Sequence, residues 1–259
     1  MIKRDSVELI DTHCHLNDEQ YEDVAAVIER AWSAGLVQLI NIGYDVDSSK
    51  KAIEQASMYP SVKATVGIHP HDAGTATEAA LEEIESLATA ESVVALGEIG
   101  LDYYYDNSPR ELQRKAFRRQ MALAKQLQLP VVIHSRKATR DTLEILREYA
   151  PLQGIMHCFS GSLETAQICV DLGLYVAFGG AITFKNAARL REVVAKVPLE
   201  YIVVETDCPY LSPEPLRGKR NEPANLQLIL AKLAEVKQVS LIDAARVTTC
   251  NARTAFGLD

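Results

Sequence analysis

The chain is short of positive charge. Lysine and arginine number 27 against 35 aspartates and glutamates, a formal charge of -8. That balance leaves no basic stripe of the kind that displaces counterions along a duplex, although a strand end or a small substrate stays within reach. Cysteine is sparse. Its five copies, at positions 14, 158, 169, 208 and 250, show no C-x-x-C spacing, which argues against a disulfide framework and for reduced thiols in a reducing compartment. Long apolar runs are missing. The longest uncharged one, Leu172 to Phe184, has 13 residues and holds three glycines, too few to span a bilayer. The opening residues, Met1 to Ser6, lack the apolar core of a signal peptide. A cytoplasmic protein with no membrane contact is expected, and no obligate protein partner is evident.

What is present is a composition 47% hydrophobic and 24% charged over 259 residues, that of a globular protein with a large core. Short apolar runs alternate with helical stripes. Val7, Leu9 and Ile10 lead into Asp11-Thr12-His13-Cys14-His15, and Asp18 to Ala34 carries a stripe of Tyr21, Val24, Ala25, Ile28 and Trp32 stopped by Gly35. Further strands are predicted over 37–42, 62–68, 93–98, 131–134, 154–157, 174–179 and 201–207. Helices are predicted between them over 48–58, 77–90, 140–149, 163–172 and 187–196, with two more at 223–237 and 240–255. The helix before Pro130 opens on Ser108-Pro109-Arg110-Glu111, which reads as a capping box with proline at the first helical position. Apolar strands separated by helices imply a parallel sheet. Eight such units in this length fit a single-domain (β/α)8 TIM-type barrel over residues 1–259 better than an open doubly wound sheet. No G-x-G-x-x-G follows the first strand to support a dinucleotide site.

The six histidines then fall at one kind of place. His13 and His15 end the first strand, and at i and i+2 they share a face. His69 ends the third strand with His71 just beyond, His134 ends the fifth, His157 the sixth, Glu98 the fourth and Asp207 the eighth. In a barrel the C-terminal strand ends gather around one mouth, where active sites are built. His13, His15, Glu98, His134, His157 and Asp207 would there form a two-metal cluster with a carboxylate as bridge. The alternative is a set of unrelated histidines, each capped in its own turn, repeated six times. Two divalent ions about 3.5–4 Å apart share a water, lower its pKa and clamp the attacking and leaving oxygens. Asp207 would be both ligand and proton acceptor, with Glu98 beside it in catalysis. Four imidazoles and two carboxylates suit zinc or manganese better than magnesium.

Seven motifs, in order, resemble the TatD-related deoxyribonucleases: Asp11-Thr12-His13-Cys14-His15, Gly67-Ile68-His69-Pro70-His71, Gly97 to Tyr103, His134-Ser135-Arg136, His157 to Gly161, Glu205 to Tyr210, and Arg220-Asn221-Glu222-Pro223. The resemblance runs essentially end to end. It implies a metal-dependent hydrolase barrel with 3′→5′ exonuclease activity on DNA strand ends, especially of single strands. It also implies the same six metal ligands, with His69 beside the scissile phosphate. Many amidohydrolase-type barrels bridge their metals with a lysine on the fourth strand, where this chain offers Glu98; that speaks against the urease-like and phosphotriesterase-like branches.

Weaker candidates surround these residues. Arg136 and Lys137, with Arg140 beyond, either hold phosphate or open a solvated helix. Arg217, Lys219 and Arg220 lie in the long loop after the last strand, as a phosphate grip or an ordinary charged loop. Tyr103-Tyr104-Tyr105 offers rings to stack a base or to pack the loop, Tyr103 being the first choice for substrate. Cys14, Cys158 and Cys208 stand beside ligands but face the helix layer by strand alternation, as small packing residues. The rival readings are an ester or amide hydrolase using the same site, of lactone or aminoacyl-tRNA type, and a metal-stabilised binding protein without turnover.

Overall fold

Strands that are apolar on both faces must be covered on both, and helices that follow each strand supply the outer cover. The computed structural model describes residues 8–258, so Val7 of the expected first strand lies outside the described residues. The strands are β1 (Leu9–Cys14), β2 (Leu36–Asn41), β3 (Val62–Val66), β4 (Val93–Asp102), β5 (Val131–Arg136), β6 (Gly154–Met156), β7 (Tyr175–Phe178) and β8 (Ile202–Val204). They pair in chain order, and each pairing is parallel. The helices are α1 (Val24–Ser33), α2 (Val46–Met58), α3 (Glu78–Leu87), α4 (Arg110–Leu127), α5 (Thr139–Tyr149), α6 (Leu163–Asp171), α7 (Ala188–Lys196), α8 (Leu226–Lys237) and α9 (Leu241–Phe256). Among the described residues no helix is long and apolar enough to cross a membrane.

The sheet closes where β1 meets the end of β8. Cys14 and Cys208 form a parallel bridge, the His15 amide donates to the Cys208 carbonyl at 2.8 Å, and the Asp207 amide donates to the His13 carbonyl at 2.9 Å. Side chains fasten the same seam. Thr12 Oγ1 donates to the Val204 carbonyl, and buried Asp11 accepts from both the amide and the hydroxyl of Thr206. The expected barrel is therefore formed, with its mouth at the C-terminal strand ends.

Two apolar layers hold it. Between barrel and helices lie Leu39, Val66, Phe117, Phe178 and Leu230, among others. Inside the barrel, Ile10, Ile40, Ala95, Val132, Ile155, Ala177 and Val203 come from seven of the strands, and Ala252, Ala255 and Phe256 of α9 pack against them. Helix α9 thus plugs the end opposite the mouth, fastened there by Asn251, whose amide donates to the Leu199 and Ile202 carbonyls.

Several boundaries differ from the sequence expectation. Helix α1 starts at Val24, capped by Asp23, and not at Asp18; Asp18 instead turns the chain, with its carboxylate accepting from the Gln20 amide and the Tyr210 hydroxyl. Trp32 is 43% exposed and lies off the packed stripe. The capping box before α4 does not form. Ser108 is spent on the neighbouring loop, donating to the His71 carbonyl and accepting from the Gly74 amide. Strand β4 runs past Glu98 to Asp102, which Gly100 permits: a Cβ there would lie 1.9 Å from the His134 carbonyl oxygen. β6 and β8 stop short of His157 and Asp207 because the backbone turns left-handed at Cys158 (φ 45°) and Asp207 (φ 54°).

Phe256, 3% exposed, is the largest side chain of the α9 plug. Phe256→Ala is expected to cost about 3–5 kcal/mol, a lost transfer energy plus an unfilled cavity, read as a lower urea midpoint at unchanged slope.

Candidate metal centre

Each residue of the centre is delivered by the C-terminal half of a strand or the turn just beyond it, Glu98 from within β4. His13 and His15 point their rings into one space, with Nε2 atoms 3.1 Å apart, and the His13 ring stacks on that of His157 with centroids 3.4 Å apart. Glu98 lies among the imidazoles. Its Oε2 is 3.5 Å from His13 Nε2, and its Oε1 is 2.7 Å from His134 Nδ1, 3.6 Å from His69 Nε2 and 3.7 Å from His157 Nε2. Asp207 Oδ1 lies 3.7 Å from Nε2 of both His13 and His15 and 3.9 Å from that of His157. The six residues expected as ligands are thus brought together from strand ends spread across the chain.

Their donor atoms fall into overlapping sets, each within 4.8 Å: His13, His15 and Asp207; His13, Glu98 and His157; and His69, Glu98 and His134. Glu98 belongs to two of them. His69, expected only beside substrate, lies close enough to join a set itself.

Two carboxylates that the sequence reading did not single out orient the imidazoles from behind. Glu205 Oε2 lies 2.9 Å from His157 Nδ1, while its Oε1 accepts from the Cys158 amide; this leaves His157 Nε2 for the centre. Asp102 Oδ2 lies 3.2 Å from His134 Nε2 and 3.0 Å from His71 Nε2, while its Oδ1 accepts from the amides of Tyr104 and Tyr105. A carboxylate on the far nitrogen fixes the tautomer and heading of a metal-binding imidazole. Sequence offered only their spacing: Asp102 stands four residues after Glu98, and Glu205 two before Asp207. His13 and His15 have no such support, and their Nδ1 atoms are buried without a protein partner among the described residues.

The electrostatics ask for a cation. Among the described residues Glu98, Asp102, Glu205 and Asp207 form ion pairs only with histidines, none with lysine or arginine. Burial alone would raise the Glu98 carboxyl, but His157, His69 and His13 hold it well below the usual range. Burial would lower His157, yet Glu205 and Glu98 push it up to about 10. His13 and His69 go the other way, as burial outweighs their neighbours and favours neutral rings. Buried charge in proteins is paired or bound to metal. Imidazole nitrogens converging on carboxylate oxygens are a mixed nitrogen and oxygen donor set, and once deprotonated they fit a divalent ion.

The weaker candidates divide. Arg136 is exposed and stacks over the rings of Tyr104 and Tyr105 at 4.4 and 4.7 Å. Tyr103, the ring first chosen for substrate, is engaged elsewhere. Its hydroxyl donates to Asp141 and accepts from Arg114, and Arg110 covers its ring. Tyr104 and Tyr105, 57% and 55% exposed, are the free rings of the three. Arg217 stacks on Phe184 at 3.9 Å, and Arg220 bonds the Gln20 carbonyl and Glu222 while covering Tyr21. These contacts fold the loop onto the barrel and leave both arginines outside the cluster. From the same loop Tyr210 does reach the mouth, its ring 6.0 Å from that of His15. Cys14 and Cys208 are fully buried in the layer beneath the helices. Cys158 is only partly buried, its donor atom close to those of His157 and Glu205.

With this geometry in hand, the comparisons with known proteins agree. The family model described as "TatD related DNase" matches residues 10–257. The uncharacterized metal-dependent hydrolase YabD of Bacillus subtilis is 44% identical over 97% of this chain and 100% of its own length. The Salmonella typhimurium protein named "3'-5' ssDNA/RNA exonuclease TatD" is 36% identical over 96% of this chain and 98% of its own. The crystal structure of YJJV, a TatD homolog from Escherichia coli, superposes with a TM-score of 0.93 at 32% identity, covering all of both chains. The chain belongs to the TatD-related DNase family, and it is a metal-dependent hydrolase.

A ligand that binds only the folded state stabilises it in proportion to the logarithm of its occupancy. Chelation is therefore expected to lower the melting temperature and abolish hydrolysis together, and re-added metal to restore both. A melting temperature indifferent to chelator would contradict a cation seated among these carboxylates.

Proposed function

We propose that the protein is a 3′→5′ exodeoxyribonuclease that prefers single strands and works with two divalent metal ions. The observation that carries this reading is the placement of Glu98, whose carboxylate lies among the imidazoles of His13 and His157 on one side and of His69 and His134 on the other, where it would be shared by two ions held there. His13, His15, Glu98, His134, His157 and Asp207 would hold the two ions between them, with Glu98 shared. The name of the Salmonella relative supports the choice of a nucleic-acid strand end.

Bound in this site, two divalent ions would supply Lewis acidity and an activated water. The chain supplies the rest. Burial alone would raise the Asp207 carboxyl, but His15, His157 and His13 hold it below its ordinary value, so it is ionised at neutral pH; its place among the ligands, and not its basicity, would let it receive the proton of the attacking nucleophile. Asp102 and Glu205 keep His134 and His157 aimed inward. His69 lies on the Glu98 side, beside the position of the scissile phosphate. Arg136 has the planar fork that matches phosphate oxygens, and Tyr104 and Tyr105 can support an unpaired base. With no disulfide among its five cysteines, the chain is suited to the reducing cytoplasm.

A digest of 3′- and 5′-labelled single-stranded DNA, with a matching RNA, tests this on metal-stripped protein given magnesium, manganese or zinc. Stepwise, metal-dependent loss from the 3′ end is expected; no digestion with any ion would sink the nuclease reading. Glu98→Ala and Asp207→Ala should each lower the rate by roughly 10²-fold or more without loss of the folded circular-dichroism spectrum. Asp102→Asn should weaken metal binding about 10–100-fold through His134 alone, which titration of the stripped protein with metal would show.

A further inference from the structure

Beside the cluster, on the β5–β6 side, lies a cavity of 370 Å³ that shares His157 as a wall. It sits between the ends of those strands and the helices α5 and α6. Its walls are of two kinds. Met156, Phe159 and Leu143 are apolar, while Thr142 and Thr165 are polar, their hydroxyls paired with those of Ser135 and Ser162. At its lip stand Tyr104 and Arg136. Among the described residues no hydrogen bond or ion pair engages the Arg136 guanidinium, which lies only against the faces of two exposed tyrosines. A cation stacked on rings and left without an anion is suited to a phosphate arriving from solvent.

We propose that this cavity receives the terminal nucleotide of the strand being shortened. The inference rests on the nuclease reading. The base and sugar lie within the cavity, and Arg136 holds a phosphate at the lip. Size favours a single nucleotide, since 370 Å³ is at the small end of the roughly 300–1,000 Å³ found for small-ligand pockets. Chemistry favours a nucleoside over bare phosphate. Inorganic phosphate would leave most of the cavity unfilled, whereas a base offers a flat face to the exposed edges of Leu143, Met156 and Phe159 and a sugar offers groups to the polar side. A pocket that holds one residue next to the centre also accounts for cutting from an end, because only a terminus can enter it.

The test is calorimetric titration of the metal-loaded protein with thymidine 5′-monophosphate, deoxyribose 5-phosphate and inorganic phosphate. The nucleotide is expected to bind about tenfold or more tighter than either base-free ligand, the scale of one stacked base. Arg136→Ala should weaken nucleotide binding about tenfold. Thr165→Trp, which fills the cavity, should remove the nucleotide's advantage and leave inorganic phosphate binding as it was. Ser160→Trp, at the exposed edge of the same cavity, should do likewise and stands in if Thr165→Trp lowers the melting temperature. Equal affinity for the three ligands, or an advantage that survives both tryptophans, overturns the assignment. Digestion of labelled DNA without nucleotide-selective binding would overturn the cavity assignment alone. Nucleotide-selective binding without digestion would overturn the nuclease reading alone and keep the cavity as a nucleotide site.

Discussion

The seam between β1 and β8 is the constraint on which the centre depends. Parallel strands bring their C-terminal ends to one side, but only closure brings the first strand to the last. Asp11 accepting from Thr206, and the amide of Asp207 donating to His13, fix the register of that closure residue by residue. A slip of one position would turn His13 and His15 away from the mouth, since alternate side chains on a strand face opposite ways. The acceptor that holds the seam is itself buried, and burial pushes the Asp11 carboxyl up to about 7 against the pull of its Thr206 and His13 donors. The site therefore inherits its geometry from a hydrogen-bonded joint two residues below it, well covered from solvent.

Around that joint the charge distribution is one-sided. Four carboxylates face a ring of histidines and no lysine or arginine comes within pairing distance of them among the described residues. Such a group is costly in an apolar surround unless a cation joins it. The outer pair, Asp102 and Glu205, adds to the negative field, so cation binding is drawn by more charge than the inner ligands carry alone. The apolar plug of α9 at the opposite end supplies stability without approaching this field, which separates the part of the barrel that holds the fold from the part that holds the chemistry.

Much of this was legible in the sequence, for physical reasons that also mark where legibility stops. His13, His15, His69, His134 and His157 end apolar runs, and the barrel topology that such runs imply says where those ends meet. The reach of β4 to Asp102 was hidden, because it turns on Gly100 lying against the His134 carbonyl, a contact between strands. Ser108 followed by Pro109 reads as a helix cap by local pattern, yet its hydroxyl is taken by the His71 carbonyl. Arg217 and Arg220 read as free charge because their partners, Phe184, Gln20 and Tyr21, lie far away in the chain. Tyr103 could not be told from Tyr104 and Tyr105 by spacing; Asp141 and Arg114 decide it. In each case a local pattern gave way to a tertiary partner.

Under the proposed function an acidic protein acts on a polyanion, and its attraction must then be confined to a small place. With a formal charge of -8, the body of the chain repels a long duplex, and counterion release cannot supply the affinity. The positive elements at the mouth would be the ions held there together with Arg136 and Lys137, set against exposed tyrosines that can stack on any base. A low-dielectric barrel end focuses such a field onto the opening. In that reading the arrangement offers a grip for the phosphates of a strand end and no continuous basic track for a duplex. Under the proposed function, the scarcity of positive charge is then part of the selectivity, since it leaves the end of a strand as the portion of a nucleic acid the protein can hold.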